Sequence, residues 1–223
     1  MAQAIEDRIE RNVEITAGNA ALAATLSVPA DAAGIVLFAH GSGSSRNSPR
    51  NKYVARELNN AGYATLLFDL LTGEEEAEDR YTGKHRFDVH LLAGRMVHAT
   101  HWLQSEPDLD ALPVGYFGAS TGSAGALIAA STLGERVKAV VSRGGRPDLA
   151  PPQSLGKVSA PTLLIVGEND DLVIQLNRVA LALLRSEKDL SVVPCASHLF
   201  EEPGALEEVA RLASDWFRRH LSG

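Results

Sequence analysis

Ser120 lies in a Gly-Ala-Ser-Thr-Gly segment, residues 118–122, which follows a short apolar run at residues 114–117. Gly-x-Ser-x-Gly between a strand and a helix is typical of a nucleophile elbow, a tight turn that exposes a serine hydroxyl at a helix N-terminus. Small residues on both sides leave room for the strained backbone that this turn requires. Ser120 is therefore the candidate catalytic nucleophile.

A nucleophilic serine needs a histidine base and a carboxylate that orients this histidine, and in this motif the carboxylate precedes the histidine along the chain. Asp170 and Asp171 follow an apolar run of strand length at residues 161–167. His198 follows a second such run at residues 190–194. Open α/β sheets hold their ligands at the carboxyl ends of the strands, so we expect His198 and one of the aspartates beside the serine.

An oxyanion hole is the next requirement, because attack on an ester carbonyl builds negative charge on its oxygen. An apolar run at residues 35–39 leads into a His-Gly-Ser-Gly turn at residues 40–43. We predict that the backbone N–H groups of Ser42 and Thr121 form the oxyanion hole. His40 is expected to organise the turn rather than to act as a second base.

Arg143 and Arg146 follow a predicted strand at residues 137–142, which places them at the same edge of the sheet as the elbow. An arginine guanidinium binds a carboxylate through two parallel hydrogen bonds. We therefore consider Arg143, ahead of Arg146, as a contact for an anionic part of the substrate. The alternative is an ion pair with Asp148 or with the acidic segment at residues 74–79.

Other residues that often carry chemistry show weaker patterns. His98 and His101 lie one helical turn apart, but no third ligand of suitable type adjoins them, so no metal site is predicted. Cys195 is the single cysteine, which excludes an intrachain disulfide, and we expect it to be a small buried residue. Asp69 ends a predicted strand and is expected to cap a turn. The sequence requires no cofactor.

The elements that must position these residues follow from the apolar runs, glycines and prolines. Gly18 and Asn19 indicate a hairpin between two antiparallel edge strands within residues 13–28. Residues 146–160 are rich in proline and too few for an inserted lid. We therefore predict an α/β fold with a mostly parallel, doubly wound sheet, an antiparallel N-terminal edge hairpin and no cap domain. A further strand is predicted at 63–68, and helices are predicted at 52–61, 87–104, 121–133, 171–186 and 205–221.

The charge balance narrows the classes of partner. The chain has 28 Asp and Glu residues, 21 Lys and Arg residues and a formal net charge of −7, which disfavours nucleic acid. The acidic residues at 74–79 are predicted to form a solvated loop. Residues 1–8 carry mixed charge, unlike a signal peptide, and no apolar stretch approaches the length of a membrane span. We expect a cytoplasmic protein without membrane contact, and a homodimer is compatible with these properties.

With the elbow serine, the Asp-containing loop and the late histidine in this order, the chain resembles the α/β-hydrolase superfamily, in particular small capless proteins grouped with dienelactone hydrolases. The resemblance covers nearly the whole length and implies a single domain over residues 1–223. It implies Ser120 as nucleophile, His198 as general base and Asp170 as acid, because Gly-x-x-Asp-x-x-Val at residues 167–173 fits the family's loop. Dienelactone hydrolases carry a cysteine at the elbow, so their specific substrate is not transferred to this chain.

These residues and the resemblance together predict a serine hydrolase, similar to carboxylesterases, that cleaves small ester or thioester substrates through an acyl-enzyme intermediate. An acyltransferase or a perhydrolase on the same three residues is the first alternative. The second alternative is a non-catalytic binding protein that retains the fold.

Overall fold

A computed structural model describes residues 8–221. They contain one eight-stranded sheet flanked by helices. The strands are β1 (Ile9–Ala17), β2 (Ala20–Val28), β3 (Ile35–Ala39), β4 (Ala64–Phe68), β5 (Val114–Ala119), β6 (Val137–Arg143), β7 (Thr162–Gly167) and β8 (Lys188–Val193). The α-helices are α1 (Pro49–Asn60), α2 (Gly73–Thr82), α3 (Val89–Leu103), α4 (Thr121–Leu133), α5 (Pro152–Leu155), α6 (Asp171–Leu183) and α7 (Ala205–Leu221).

The strand order is β1-β2-β4-β3-β5-β6-β7-β8. β1 and β2 form the antiparallel edge hairpin, in which Gly18 takes a φ of 65° at the turn. β2 pairs antiparallel with β4, and all the remaining pairs are parallel. Strands β3, β4, β5 and β7 are buried along their whole length, as parallel strands covered on both faces must be. The predicted fold class is confirmed.

The two faces of the sheet have separate cores. Helices α3 and α4 pack on one face through residues such as Leu92, Met96 and Leu127. Helices α1 and α7 pack on the other face, where Leu58 and Trp216 are fully buried. The link from β6 to β7 contains only a 3₁₀ turn and the short helix α5, so no cap domain lies there.

Several predictions about local structure are wrong, including the end of helix α6, which lies at Leu183 rather than at residue 186. The acidic residues at 74–79 form most of helix α2 rather than a loop, because Thr72 and Glu75 make a reciprocal capping box. Asp79 is buried, since its carboxylate accepts hydrogen bonds from the backbone N–H groups of His85 and Arg86. Helix α1 begins three residues earlier than predicted, with Ser48 as its N-cap and proline in its first turn.

Cys195 is another wrong prediction: it is exposed, with a φ of 58°, rather than buried. Its backbone N–H donates to the Glu168 carboxylate, which holds this turn outside the core. Within residues 8–221, no helix is long and apolar enough to cross a bilayer. The expectation about residues 1–8 falls almost entirely outside the described residues.

Candidate active site

Ser120 sits between β5 and α4 with φ 50° and ψ −125°, a conformation that is strained for a residue with a side chain. The flanking glycines make this turn sterically feasible. A Cβ atom at Gly118 would lie 2.5 Å from the Ser123 Cα, and one at Gly122 would lie 2.3 Å from the Ala39 carbonyl oxygen. Both distances are shorter than any real Cβ contact, so only glycine fits at either position.

Backbone hydrogen bonds from the loop after β6 hold the strained turn in place. The Ser120 N–H donates to the Arg143 carbonyl over 3.3 Å, and the Arg146 N–H donates to the Ser120 carbonyl over 3.0 Å. Behind the turn, the Ser142 hydroxyl donates to the Ser123 hydroxyl over 2.9 Å. The first ten residues of α4 are buried and mostly small, which lets this helix begin close to the sheet.

The Asp170 carboxylate is hydrogen bonded to the imidazole of His198. The His198 Nδ1 lies 2.6 Å from the Asp170 Oδ2, and donation from Nδ1 leaves Nε2 free to accept a proton. The Asp170 side chain is 16% exposed and the His198 side chain 39%. Asp171, the other candidate acid, is exposed in the first turn of α6. The geometry therefore separates two aspartates that the residues alone left equivalent.

Ser120 and His198 line one cavity of about 220 Å³. No hydrogen bond joins the Ser120 hydroxyl to His198 in the part of the chain that the structure describes. Such contacts are often long in proteins without substrate and tighten when substrate binds. The structure thus brings the serine and His198, which is hydrogen bonded to Asp170, to one cavity.

Ser42 and Thr121, the two predicted oxyanion donors, are in direct contact. The Ser42 backbone N–H donates to the Thr121 hydroxyl over 2.9 Å. The Thr121 backbone N–H is in the first turn of α4, where N–H groups have no partner within the helix. The contact of the Thr121 hydroxyl could not be predicted from the sequence, because two positions 79 residues apart leave no local signal.

His40 ties the turn at residues 40–43 to the chain that follows β4. Its Nε2 accepts a hydrogen bond from the Leu70 N–H over 3.0 Å, so the ring proton is on Nδ1, which lies 3.0 Å from the Gly41 carbonyl oxygen. Burial lowers the pKa of His40 below its usual value. The neutral ring therefore fixes the Gly41 peptide, which precedes the Ser42 N–H.

Arg143 lies in the same cavity as Ser120 and is only 6% exposed. Its Nη2 donates to the Asn51 side-chain oxygen over 3.1 Å, and its guanidinium carbon lies 5.9 Å from the Phe200 ring centroid. Arg146, not Arg143, pairs with Asp148. Burial, and secondarily the charge of Arg50, lower the pKa of Arg143 to about 10, so the side chain remains a cation at neutral pH.

A second cavity of about 200 Å³ is also lined by the turn at residues 40–43. Leu70 and Leu92 line it, and it reaches Thr121 without touching Ser120 or His198. Asp69 lies at its wall and pairs with Arg46, whose backbone N–H also donates to the Asp69 carboxylate. Asp69 is predicted to cap a turn, and its carboxylate binds the backbone and side chain of Arg46, 23 residues away in sequence.

The two histidines considered as metal ligands, His98 and His101, lie on α3 and do not line the cavity of Ser120 and His198. Across residues 8–221, no group of three or more histidine, cysteine, aspartate or glutamate side chains is arranged to hold a metal ion.

Comparison with known proteins assigns this chain to a family. The sequence model of the dienelactone hydrolase family matches residues 20–222. A dienelactone hydrolase from Anabaena variabilis is 58% identical, with a TM-score of 0.94 over 96% of this chain and 99% of that one. The esterase domain of a Rhodothermus marinus protein shares the fold, with 21% identity and a TM-score of 0.75 over 96% of this chain and 99% of that chain.

A third relative is longer than this chain. A Mycobacterium tuberculosis protein, provisionally named a phosphoribosyl transferase, is 56% identical over 214 residues, which make up 96% of this chain and 47% of that protein. The chain thus spans about half the length of the curated relatives it matches.

Proposed function

The chain belongs to the dienelactone hydrolase family, and we propose that it is a serine hydrolase acting on small carboxylic esters or thioesters. One observation carries this proposal: His198, which is hydrogen bonded to Asp170, lines the same cavity as a serine in a strained elbow. A serine with φ 50° has a sparsely populated backbone conformation, and residues in such conformations cluster at active sites.

The first half-reaction forms an acyl-enzyme. His198 Nε2 removes the proton of the Ser120 hydroxyl as its oxygen attacks the substrate carbonyl carbon. The resulting imidazolium keeps its Nδ1–H and donates it in a hydrogen bond to the Asp170 carboxylate, which stabilises the positive charge. His198 then gives the Nε2 proton to the departing alcohol or thiol, and the acyl group remains on the Ser120 oxygen.

Water completes the second half-reaction. His198 Nε2 takes a proton from the water as the water oxygen attacks the acyl carbon, and the proton then passes to the Ser120 oxygen as the acid leaves. Ser120 and His198 end the cycle in their starting protonation states, so the reaction needs no reactant besides the ester and water. An alcohol or hydrogen peroxide in place of water would make the same site an acyltransferase or a perhydrolase.

The negative oxygen formed in each half-reaction needs the backbone N–H groups of Thr121 and Ser42. The Ser42 N–H donates to the Thr121 hydroxyl in the free protein, so it must exchange this acceptor for the substrate oxygen. The hydroxyl thereby holds the donor near the elbow until substrate arrives, which limits the reorganisation required in the transition state.

The size of the cavity supports small substrates. Its volume of about 220 Å³ is below the ~300–1,000 Å³ that is usual for sites of drug-sized ligands. The phosphoribosyl transferase name describes a protein of about twice this length, whereas the Asp170–His198 pair supports hydrolysis for the part that this chain covers.

A fluorophosphonate probe tests the proposal, because it reacts rapidly only with an activated serine. We expect labelling of the wild type and of Ser131→Ala, a control on the same helix as the elbow. Ser120→Ala should not be labelled, and its turnover of short 4-nitrophenyl esters should fall by at least about 10³-fold. Labelling of Ser120→Ala at the wild-type rate would exclude Ser120 as the nucleophile.

A further inference from the structure

A third cavity, the hairpin groove, is lined by residues of the edge hairpin, β4 and helix α1. Its volume is about 480 Å³, and it has no lining residue in common with the cavity of Ser120 and His198. This volume is within the ~300–1,000 Å³ that is usual for small-molecule sites. Of its thirteen lining residues, all except Ala55 and Leu67 are polar or charged. The groove is therefore suited to a polar ligand.

The floor of the hairpin groove is formed by two rows of side chains that run across three strands. Each row has one residue from β1, one from β2 and one from β4: Asn12, Thr25 and Leu67 in the first row, and Glu10, Ser27 and Thr65 in the second. Ser27 is 4% exposed and Thr65 is fully buried. Serine and threonine are mostly exposed in proteins, so two buried hydroxyls at neighbouring positions indicate a floor built for hydrogen bonding.

Two amide side chains in the groove have atoms that can bind a ligand. The Asn12 Oδ1 accepts from the Thr25 hydroxyl, and the Asn59 Nδ2 donates to the Thr65 hydroxyl and to the Tyr63 carbonyl. Within residues 8–221, the Asn12 Nδ2 and the Asn59 Oδ1 form no hydrogen bond. The groove thus offers a donor and an acceptor, and a ligand hydroxyl can bind to either because it both accepts and donates.

Helix α1 forms the wall of the groove and contributes two cations. Lys52 and Arg56 both line the groove, and they are four residues apart, which places them on the same face of the helix. The Lys52 Nζ donates to the Asn47 side-chain oxygen over 2.8 Å, and the Arg56 guanidinium carbon lies 5.6 Å from the Tyr53 ring centroid. Both contacts are with neutral groups. No carboxylate within residues 8–221 forms an ion pair with either cation.

Three further charged residues line the hairpin groove. Arg46 is paired with Asp69, and the Glu10 carboxylate accepts from the Ser27 hydroxyl over 3.2 Å. Arg8, directly before β1, adds a further cation. Four cations and one carboxylate therefore line this groove, in a chain whose formal net charge is −7. Such a local excess of positive charge attracts an anionic ligand.

We propose that the hairpin groove binds a small phosphorylated polyol, with its phosphate on Lys52 and Arg56 and its hydroxyl groups on the floor. A phosphate monoester carries a charge of about −1.5 to −2 at neutral pH, which matches the two cations of α1. The amides of Asn12 and Asn59 bind the hydroxyl groups. This site is separate from the cavity of Ser120, so it does not depend on the proposed hydrolase function.

Calorimetric titration with glucose 6-phosphate tests the site directly. We expect this ligand to bind to the wild type more tightly than inorganic phosphate or glucose, because it alone uses both the wall and the floor. Lys52→Gln with Arg56→Gln should weaken the binding by about tenfold or more. Lys157→Gln with Arg178→Gln is the matched control, since it removes the same two charges from exposed positions outside the groove. Absence of binding, or equal affinity in the wild type and the groove variant, overturns the proposal.

The role of the floor can be tested separately from that of the charges. Asn12→Ala removes the free amide donor from an exposed position on β1 and should lower the affinity for glucose 6-phosphate by about 2- to 10-fold. Thr16→Ala is the control, because Thr16 is exposed on the same strand but does not line the groove. Unchanged affinity in Asn12→Ala, or equal affinity of the wild type for inorganic phosphate and glucose 6-phosphate, overturns the assignment to a polyol.

Labelling of Ser120 by the fluorophosphonate probe shows whether the ligand binds in the groove or in the cavity of the elbow. Saturating glucose 6-phosphate should leave the labelling rate of the wild type unchanged, because the two cavities share no lining residue. Slower labelling that persists in Lys52→Gln with Arg56→Gln would place the anion beside Ser120 and overturn the groove as its site. Binding of glucose 6-phosphate to a protein that the probe does not label would overturn the proposed hydrolase function alone.

Discussion

Asp170 and Asp171 are adjacent in sequence but have different surroundings. The Asp170 carboxylate accepts the hydrogen bond of the His198 Nδ1, and this bond determines which imidazole nitrogen is free to act as a base. Asp171 is exposed at the start of α6, where a negative charge interacts favourably with the helix dipole. An aspartate carboxylate therefore orients the His198 ring at position 170, whereas at position 171 it stabilises helix α6.

Substitution of each aspartate by asparagine should separate these roles. Asp170→Asn should lower kcat by about 10²–10⁴-fold on a short ester, because the amide no longer favours the productive tautomer of His198. Asp171→Asn should change kcat by less than about threefold and cost roughly 0.3–1 kcal/mol of stability. Steady-state kinetics and urea unfolding of both variants provide the comparison. A larger kinetic loss in Asp171→Asn would assign the acid to Asp171.

At the scale of elements, all the candidate catalytic groups lie at the carboxyl ends of parallel strands. The turn at residues 40–43 follows β3, Ser120 follows β5, Asp170 follows β7 and His198 follows β8. Parallel strands end at the same edge of the sheet, so residues far apart in sequence converge there. The elbow is the tightest of these connections, because α4 begins directly where β5 ends.

Gly122→Ala should distort the elbow. The added methyl group would lie 2.3 Å from the Ala39 carbonyl oxygen and 2.4 Å from that of His40, and neither backbone group can move cheaply. We expect a loss of about 1–3 kcal/mol of stability and a large loss of turnover. Gly94→Ala in α3 is the control, since nothing lies within 4 Å of its added methyl group and alanine favours helix. Thermal unfolding of both variants should show a lower Tm for Gly122→Ala alone.

At the scale of the whole molecule, burial of neutral histidines should make stability depend on pH. Burial lowers the pKa of His40 and also that of His220. When the pH falls below about 6.5, the unfolded chain binds protons at these rings that the folded chain does not bind. The free energy of unfolding should therefore decrease from about pH 6.5 downward, until the folded-state pKa values are reached.

The slope of this pH dependence can be assigned to His40 by substitution. Protonation of His40 would also break the hydrogen bond from the Leu70 N–H, because a protonated ring nitrogen cannot accept. Urea unfolding at pH 7.5 and pH 5.5 should show a smaller loss of stability for His40→Asn than for the wild type. His90→Asn, at an exposed position on α3, should retain the wild-type slope. Equal slopes in all three proteins would contradict a buried neutral His40.

The sequence alone determined the fold class and the order of the strands and candidate catalytic residues along the chain. Apolar runs longer than a turn and shorter than a typical helix marked the buried parallel strands, because such strands need apolar residues on both faces. Gly118 and Gly122 marked the elbow, since the steric limits that require glycine there operate within a few residues of the chain. These signals are local, so they can be read without knowing which strands pair.

Only the tertiary structure decided which groups meet. Ser42 and Thr121 are 79 positions apart, Arg143 and Asn51 are 92 positions apart, and both contacts depend on the order of strands in the sheet. The same packing left Cys195 exposed. The burial of a side chain depends on neighbours from distant segments of the chain. The spacing of residues, in contrast, gives information only about the segment in which they lie. Only the folded chain shows that Arg143 forms no ion pair with a carboxylate within residues 8–221 and bonds to Asn51 instead.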